Sequence, residues 1–255
     1  MSLQALIFDV DGTLANTERD GHRVAFNQAF ADAGLDWQWS IEQYGQLLQV
    51  AGGKERICHY IQASCPHWQP PQDLQGFVAE LHGAKNHHYQ RLLAQGVIPL
   101  RPGVERLLQE ARTEGIRLAI ATTSDLPNVL TLLEHTLGKD SHHWFQTIAA
   151  GDMVLAKKPA PDIYHYALNQ LDLTPSDCLV FEDSQVGCQA ACAAGCRPII
   201  TVNDYTQHQD FSGALLVIDD LENPCHPLTP QVGGMNGAES VNMDVLKSLW
   251  RTSTS

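Results

Sequence analysis

The 255-residue chain has no apolar run approaching the roughly 20 consecutive residues needed to span a bilayer as a helix. Positive charge is scarce. Sixteen Lys and Arg stand against 29 Asp and Glu, a formal net charge of −13, which argues against nucleic acid or an anionic membrane surface as partner. A disulfide framework is missing too: seven cysteines, an odd number without regular spacing, read as reduced thiols. The N-terminus lacks a basic-then-apolar signal pattern, because strand-like residues begin almost at once. A cytoplasmic location is therefore expected. A monomer is expected too, though nothing in the composition dictates the oligomeric state. No internal repeat or low-complexity tract is present. The 44% hydrophobic content suits one good core, or a core with a smaller second domain.

What is present is organised around Leu6-Ile7-Phe8-Asp9-Val10-Asp11-Gly12-Thr13-Leu14. A strand-like apolar run ends in two carboxylates, a glycine and a threonine, and open α/β sheets keep their ligands at such carboxyl ends. Two acids that close repel unless a cation sits between them or one is protonated. The pattern suggests a nucleophilic carboxylate, a second carboxyl as acid/base, and a divalent metal. Taken alone it also reads as a strand ending in a polar turn. Gly12 is expected to permit a sharp turn and to leave room for a substrate group.

From Thr17 to about Gly96 the periodicity is helical, with no strand. Val24, Ala25, Phe26, Ala29, Phe30 and Ala33 form one stripe, and Ile41, Tyr44, Leu47 and Leu48 a second. Arg56–Ile61 and Leu74–Leu93 supply more helix, interrupted by Pro66, Pro70 and Pro71. Strands resume at Ile116–Ala121, Thr147–Ala150, Cys178–Phe181, Ile199–Val202 and Leu215–Ile218, with helical stretches between them. That alternation predicts an α/β fold: a doubly wound parallel sheet forming a core over 1–15 and 97–221, with an all-helical insert over 16–96. Residues 222–255 read as a Pro/Gly/Ser-rich linker followed by a closing helix from Val241 to Trp250.

Four polar clusters fall at strand ends or in loops, and a doubly wound sheet converges such ends on one crevice. Thr122 follows a strand; its hydroxyl either caps the next helix or donates to a phosphoryl oxygen. Lys158 precedes Pro159-Ala160-Pro161 and is either solvated or neutralises anionic groups. Lys157 is set aside, the prolines being the discriminator. Glu182-Asp183 ends a strand as Asp9 does, and hard cations such as Mg²⁺ take such oxygens. Gly187 would let the following helix approach that loop closely.

In order, Asp9 to Thr13, Thr122, Lys158 and Glu182-Asp183 resemble the four motifs of the haloacid dehalogenase (HAD) superfamily of phosphohydrolases. The resemblance covers the core and implies a Rossmann-like sheet. It implies that Asp9 attacks phosphorus to form an aspartyl-phosphate. Asp11 would protonate the leaving alkoxide and then activate water, with Thr122 and Lys158 stabilising the phosphoryl group and Thr123 and Ser124 as substrate contacts. Mg²⁺ would be held by Asp9, the Asp11 carbonyl and Asp183, with Glu182 in or just outside that shell. A helical insert directly after the first motif looks like the class I cap of this superfamily.

The insert holds six Lys or Arg against eight Asp or Glu, −2, and the remainder of the chain carries −11. Basic residues are thus relatively concentrated where a second anionic group would be received. Gly52-Gly53-Lys54-Glu55-Arg56 is the best candidate, and it reads equally as a phosphate-binding turn or as an ordinary helix start. The stretches Thr17–Arg23, Ala25–Asn27, Leu35–Trp37 and Gly52–Arg56 resemble the CbbY-type subgroup, associated with carbon fixation. That resemblance implies dephosphorylation of xylulose-1,5-bisphosphate, a small phosphorylated sugar, with Glu18, His22, Tyr44, Gly53, Lys54 and Arg56 as substrate contacts. Three rivals stand beside it: a β-phosphoglucomutase-type isomerase, a phosphoglycolate phosphatase, and a silent binding protein on the same frame. Intact Asp9, Asp11, Lys158 and Asp183 argue against the last.

The remaining features read as structural. Cys188, Cys192 and Cys196, spaced i, i+4, i+8, could suggest a metal set but read, with the alanines around them, as packing residues on a buried helix. His87-His88 and His142-His143 lie on surface loops or helix faces, and Trp37, Trp39 and Trp68 belong to the core of the insert. Asp219-Asp220 ends a late strand, but the four motifs are complete without it.

Overall fold

The computed structural model describes residues 2–50, 52–69, 72–223 and 239–252, except the side chain of residue 152. The linker predicted after residue 222 falls, from 224 to 238, outside the described residues, as do Cys225, Pro70 and Pro71. The chain divides into two compact units, Met1–Asn16 with Pro99–Ser255, and Thr17–Ile98. No described helix is long and apolar enough to cross a membrane.

The first unit is a six-stranded sheet built from β1 (Ala5–Phe8), β2 (Arg117–Ala121), β3 (Phe145–Ala149), β4 (Cys178–Glu182), β5 (Arg197–Thr201) and β6 (Leu216–Ile218). Every pairing is parallel, and the order is β3-β2-β1-β4-β5-β6. Its helices are α5 (Val104–Thr113), α6 (Leu126–Leu137), α7 (Asp162–Leu171), α8 (Gln185–Ala193) and α9 (Met243–Thr252). From β1 the chain moves outward to β2 and β3, then crosses back to β4 and continues to β6. Right-handed crossovers therefore place α5 and α6 on one face and α7 and α8 on the other. Ala5, Ile7, Ala119 and Val180 pack with Ile163, Ala167, Ala190 and Ala191 of α7 and α8, as strand alternation requires. The fold is the α/β, doubly wound parallel sheet that the alternating pattern predicts. Its switch point lies between β1 and β4, whose register pairs Phe8 with Phe181. The residues that follow each, Asp9 and Glu182-Asp183, therefore emerge side by side.

The second unit holds α1 (Arg23–Asp32), α2 (Ile41–Leu47), α3 (Gly53–Ser64) and α4 (Leu74–Ala94), preceded by a π-helical turn over Thr17–His22. Phe26, Phe30, Trp37, Trp39, Tyr44 and Tyr60 form an aromatic cluster, with neighbouring ring centroids 4.7–6.1 Å apart. Asn27 closes the unit locally: its amide accepts from the Trp39 N–H at 2.8 Å and donates to the Trp39 carbonyl at 3.0 Å. Two side-chain expectations are corrected here. His88 is not a surface histidine; it is 7% exposed, bonded to Asp32 at 2.7 Å and to Arg91 at 2.8 Å. Trp68 is only partly buried, resting against Trp37 and Phe77.

Candidate active site

The site is built at the switch point of the sheet. Asp9 follows β1, and its N–H continues the ladder by donating to the Phe181 carbonyl at 2.9 Å. Its side chain is buried, and Oδ1 accepts from Lys158 Nζ at 2.7 Å. Lys158 also donates to Glu182 Oε1 at 2.6 Å and to the Ala121 carbonyl at 2.9 Å, so one ammonium ties the ends of β1, β2 and β4 together. It sits on a loop with a cis peptide bond to Pro159. Lys157 points elsewhere: its side chain donates to the Gly151 carbonyl. Burial alone would lower the Lys158 ammonium, but Asp9 and Glu182 outweigh it and hold it above the usual lysine range.

Asp11 has a different partner, the Ser124 hydroxyl from the loop after β2. The two carboxylates of the first motif are thus held by separate donors. Thr122 is buried, and its Oγ1 accepts from the Ser124 N–H at 3.2 Å, which leaves its hydroxyl proton to be given elsewhere. Thr123, on the same loop, is exposed.

Glu182 is fully buried and shared: Oε1 accepts from both Lys158 and the Tyr164 hydroxyl of α7. Burial raises its carboxyl to about 7 against the pull of Lys158. Burial, with Asp9 and Glu182 beside it, also raises Asp183 well above the usual carboxylate range. One carboxylate oxygen from each of Asp9, Glu182 and Asp183 lies within 4.8 Å of the others. Three buried acids facing one lysine leave a deficit of positive charge, and hard oxygen donors so placed fit Mg²⁺.

Gly12 explains part of the geometry. Its φ of +84° favours glycine, as the expected sharp turn does, and the space a Cβ would take there is filled by the Asp183 carboxylate and the Asn203 amide. Gly187 on α8 faces the Glu182 carboxylate, which a Cβ there would strike. Arg101, 7% exposed, donates to the carbonyls of Gly12, Thr201, Val202 and Asp219, binding the loops after β1, β5 and β6.

In the helical unit, Glu18 and His22 lie on the π-helical turn. Tyr44 donates to Glu18 Oε2 at 2.6 Å and receives a bond from Arg56 Nη1 at 3.1 Å. Arg56 also donates to the carbonyls of Leu47 and Val50 at 3.0 and 3.3 Å, so much of its guanidinium holds its own loop. Lys54 is exposed, and Gly53 opens α3 with the His82 ring against it. His22 Nδ1 lies 2.8 Å from Lys85 Nζ, and its ring stacks on Tyr89 with centroids 3.8 Å apart. Burial, opposed by Glu18 and reinforced by Lys85 and Arg56, lowers the His22 imidazole to about 3. Burial would raise Glu18, but His22, the Tyr44 hydroxyl, Arg56 and Lys85 hold it below the usual range.

Arg101, Tyr164 and Asn203 escape a reading of the sequence, as does Lys85 beyond its count among the six cations of the insert. Two carried a usable signal. Lys85 interrupts the buried stripe Val78, Leu81, His88, Tyr89 and Leu92 of α4. Asn203 is a polar residue just past a strand, as Asp9 is. Arg101 before Pro102, and Tyr164 on the apolar face of α7, carried none.

The family signature of haloacid dehalogenase-like hydrolases matches residues 3–195. Protein CbbY of Rhodobacter capsulatus is 47% identical over 232 residues, covering 91% of this chain and 100% of the relative. Protein CbbY of Cereibacter sphaeroides is 44% identical over 239 residues, 93% of this chain and 97% of the relative. A solved structure of a CbbY variant from Rhodobacter sphaeroides in complex with xylulose-(1,5)bisphosphate superposes with a TM-score of 0.71 at 46% identity. It covers 86% of this chain and 95% of that one.

Proposed function

Because the chain belongs to the haloacid dehalogenase-like hydrolases, and within them to the CbbY-type phosphatases, we propose that it is Mg²⁺-dependent and hydrolyses a sugar bisphosphate, xylulose-1,5-bisphosphate. The observation that carries the phosphatase chemistry is Lys158 bridging Asp9 and Glu182 at the switch point. Lys158 holds one oxygen of Asp9, leaving the other to attack phosphorus. The new P–O bond forms as the ester P–O bond breaks, and Asp11 gives its proton to the leaving alkoxide. Asp11, again a carboxylate, then takes a proton from the water that attacks the aspartyl-phosphate, releasing phosphate and restoring Asp9. Thr122 donates its hydroxyl proton to a phosphoryl oxygen, and Ser124 holds Asp11 in line. Asp9, Asp183 and the Asp11 carbonyl would hold Mg²⁺, which neutralises charge on the transferred group when bound. Glu182, with Oε1 already shared between Lys158 and Tyr164, serves first to aim the lysine.

The substrate reading is supported by the CbbY relative solved with xylulose-(1,5)bisphosphate. It is also supported by the cations of the helical unit, which suit recognition of a second phosphate. Lys85 beside His22, with Arg56 and Lys54, is the set we assign to it. Local cations thereby answer the overall charge of −13. Six free thiols among the described residues accord with a reducing, cytoplasmic setting, and we propose a monomer acting on a small phosphorylated sugar.

The test is phosphate release with Mg²⁺ and with EDTA, comparing xylulose-1,5-bisphosphate, ribulose-1,5-bisphosphate, phosphoglycolate and β-glucose-1-phosphate. Preference for the xylulose compound, abolished by EDTA and restored by Mg²⁺, is expected. Conversion of β-glucose-1-phosphate to glucose-6-phosphate without phosphate release would make the protein a mutase instead.

A further inference from the structure

We propose that Asn203 is a positioning residue for the cation site: it fixes Asp183 by donating to one carboxylate oxygen, so that the other is presented to the metal. The inference rests on the Mg²⁺ dependence proposed above.

Asn203 lies two residues past β5, and its Nδ2 donates to Asp183 Oδ2 at 2.7 Å. Which end of the amide faces Asp183 is decided by the loop itself. The Tyr205 N–H points at Oδ1 from 2.9 Å, and an N–H can only donate, so Oδ1 is the acceptor there and the NH₂ is turned to the carboxylate. The loop is held in turn: the Asn203 N–H donates to Thr206 Oγ1 at 3.0 Å, and the Thr206 N–H to the Asn203 carbonyl at 3.1 Å. Immediately upstream, the carbonyls of Thr201 and Val202 receive Arg101 at 2.7 and 2.6 Å. The same guanidinium grips the carbonyl of Gly12, whose missing Cβ makes room for the Asp183 carboxylate and the Asn203 amide. Asn203 is therefore placed against Asp183 by contacts that do not depend on Asp183.

A carboxylate confined in this way loses little rotamer freedom when it ligates a cation, and outer-layer partners of this kind are worth about 10–100-fold in metal affinity or activity. An amide suits the task better than a cation would. It orients the carboxylate without neutralising it, leaving the net negative charge that attracts the metal.

The experiment measures Mn²⁺ binding, as an EPR-visible substitute for Mg²⁺, to the full-length wild type and to Asn203→Ser and Asn203→Ala. A serine hydroxyl can still accept from the Tyr205 N–H and keep the turn, but it is too short to bond Asp183. Alanine loses both contacts. We expect both variants to bind Mn²⁺ about 10–100-fold more weakly than wild type, and to need correspondingly more Mg²⁺ for half-maximal phosphate release. The substrate KM at saturating Mg²⁺ should stay at the wild-type value, and N203S should keep the wild-type thermal midpoint. If N203S binds Mn²⁺ like wild type, and only N203A weakens together with its thermal midpoint, Asn203 merely builds its loop and the proposal is overturned. If wild type itself binds no divalent cation, the Mg²⁺ reading falls, and this inference with it.

Discussion

Replacing Lys158 with alanine removes the one ammonium that Asp9 and Glu182 share. Its side chain is 6% exposed, and those of Asp9 and Glu182 are 9% and 1% exposed, so water cannot easily stand in. At an effective dielectric of about 20, charge pairs at 2.7 and 2.6 Å attract by about 6 kcal/mol each before desolvation. Desolvation takes back several kcal/mol per ion, and deleting one partner of a buried pair costs about 3–5 kcal/mol, because the other charges stay buried. The Ala121 carbonyl also loses its donor. In urea denaturation with EDTA, Lys158→Ala should therefore lose about 3–5 kcal/mol of stability. With saturating Mg²⁺ the loss should shrink, since the cation takes over part of the neutralisation. Activity should not recover, because the charge proposed to meet the phosphoryl group is gone: a fall of about 10²–10³-fold in kcat is expected. Lys157→Ala, whose side chain is exposed and bonded to Gly151, should change stability by no more than about 0.5 kcal/mol. A Lys158→Ala protein that unfolds at the wild-type urea midpoint in EDTA, or retains more than roughly a tenth of wild-type kcat, would refute the reasoning.

Three further outcomes are expected. His22 has a folded pKa of about 3 against an ordinary 6.5, so the unfolded chain takes the proton first as pH falls. Its contribution to stability is complete above pH 6.5 and is lost progressively toward pH 3, at no more than about 1.4 kcal/mol per pH unit. Urea titrations at pH 7.5, 6 and 5 should then show His22→Asn gaining on wild type as the pH drops; parallel curves would contradict this. Gly187→Ala puts a Cβ into the Glu182 carboxylate, which Lys158 and Tyr164 hold in place, so about 1–3 kcal/mol of stability and part of kcat should be lost. A Gly187→Ala protein with a wild-type melting curve and turnover would show that Glu182 moves freely. Arg101→Met strips the donor from the carbonyls of Gly12, Thr201, Val202 and Asp219, at about 1–3 kcal/mol for each one left buried. Chemical denaturation should register a loss of several kcal/mol, and a loss under about 1 kcal/mol would mean that water replaces the guanidinium.

The sequence by itself determined the elements and their kind. Side-chain period and local turn chemistry are written in adjacent residues, so the six-strand alternation, the helical stretch after the first motif and the acids at strand ends were readable without coordinates. Small offsets, such as β3 starting at Phe145 rather than Thr147, arise where an exposed residue, Gln146, breaks the apolar run. Which charges meet was another matter. Asp9 and Lys158 are 149 positions apart, and Arg101 reaches carbonyls about 100 positions downstream. Such contacts depend on parallel register and on right-handed crossovers returning the chain to the same edge, and no local pattern encodes them. The prolines single out Lys158 over Lys157, yet only the fold pairs Lys158 with both Asp9 and Glu182. Only the fold gives the space beside Gly12 to Asp183 and Asn203, sets Lys85 on a buried stripe against His22, and turns much of Arg56 back onto its own loop. Periodicity reports which side of an element is buried; what a buried polar group bonds to is decided by the neighbours that tertiary packing brings to it.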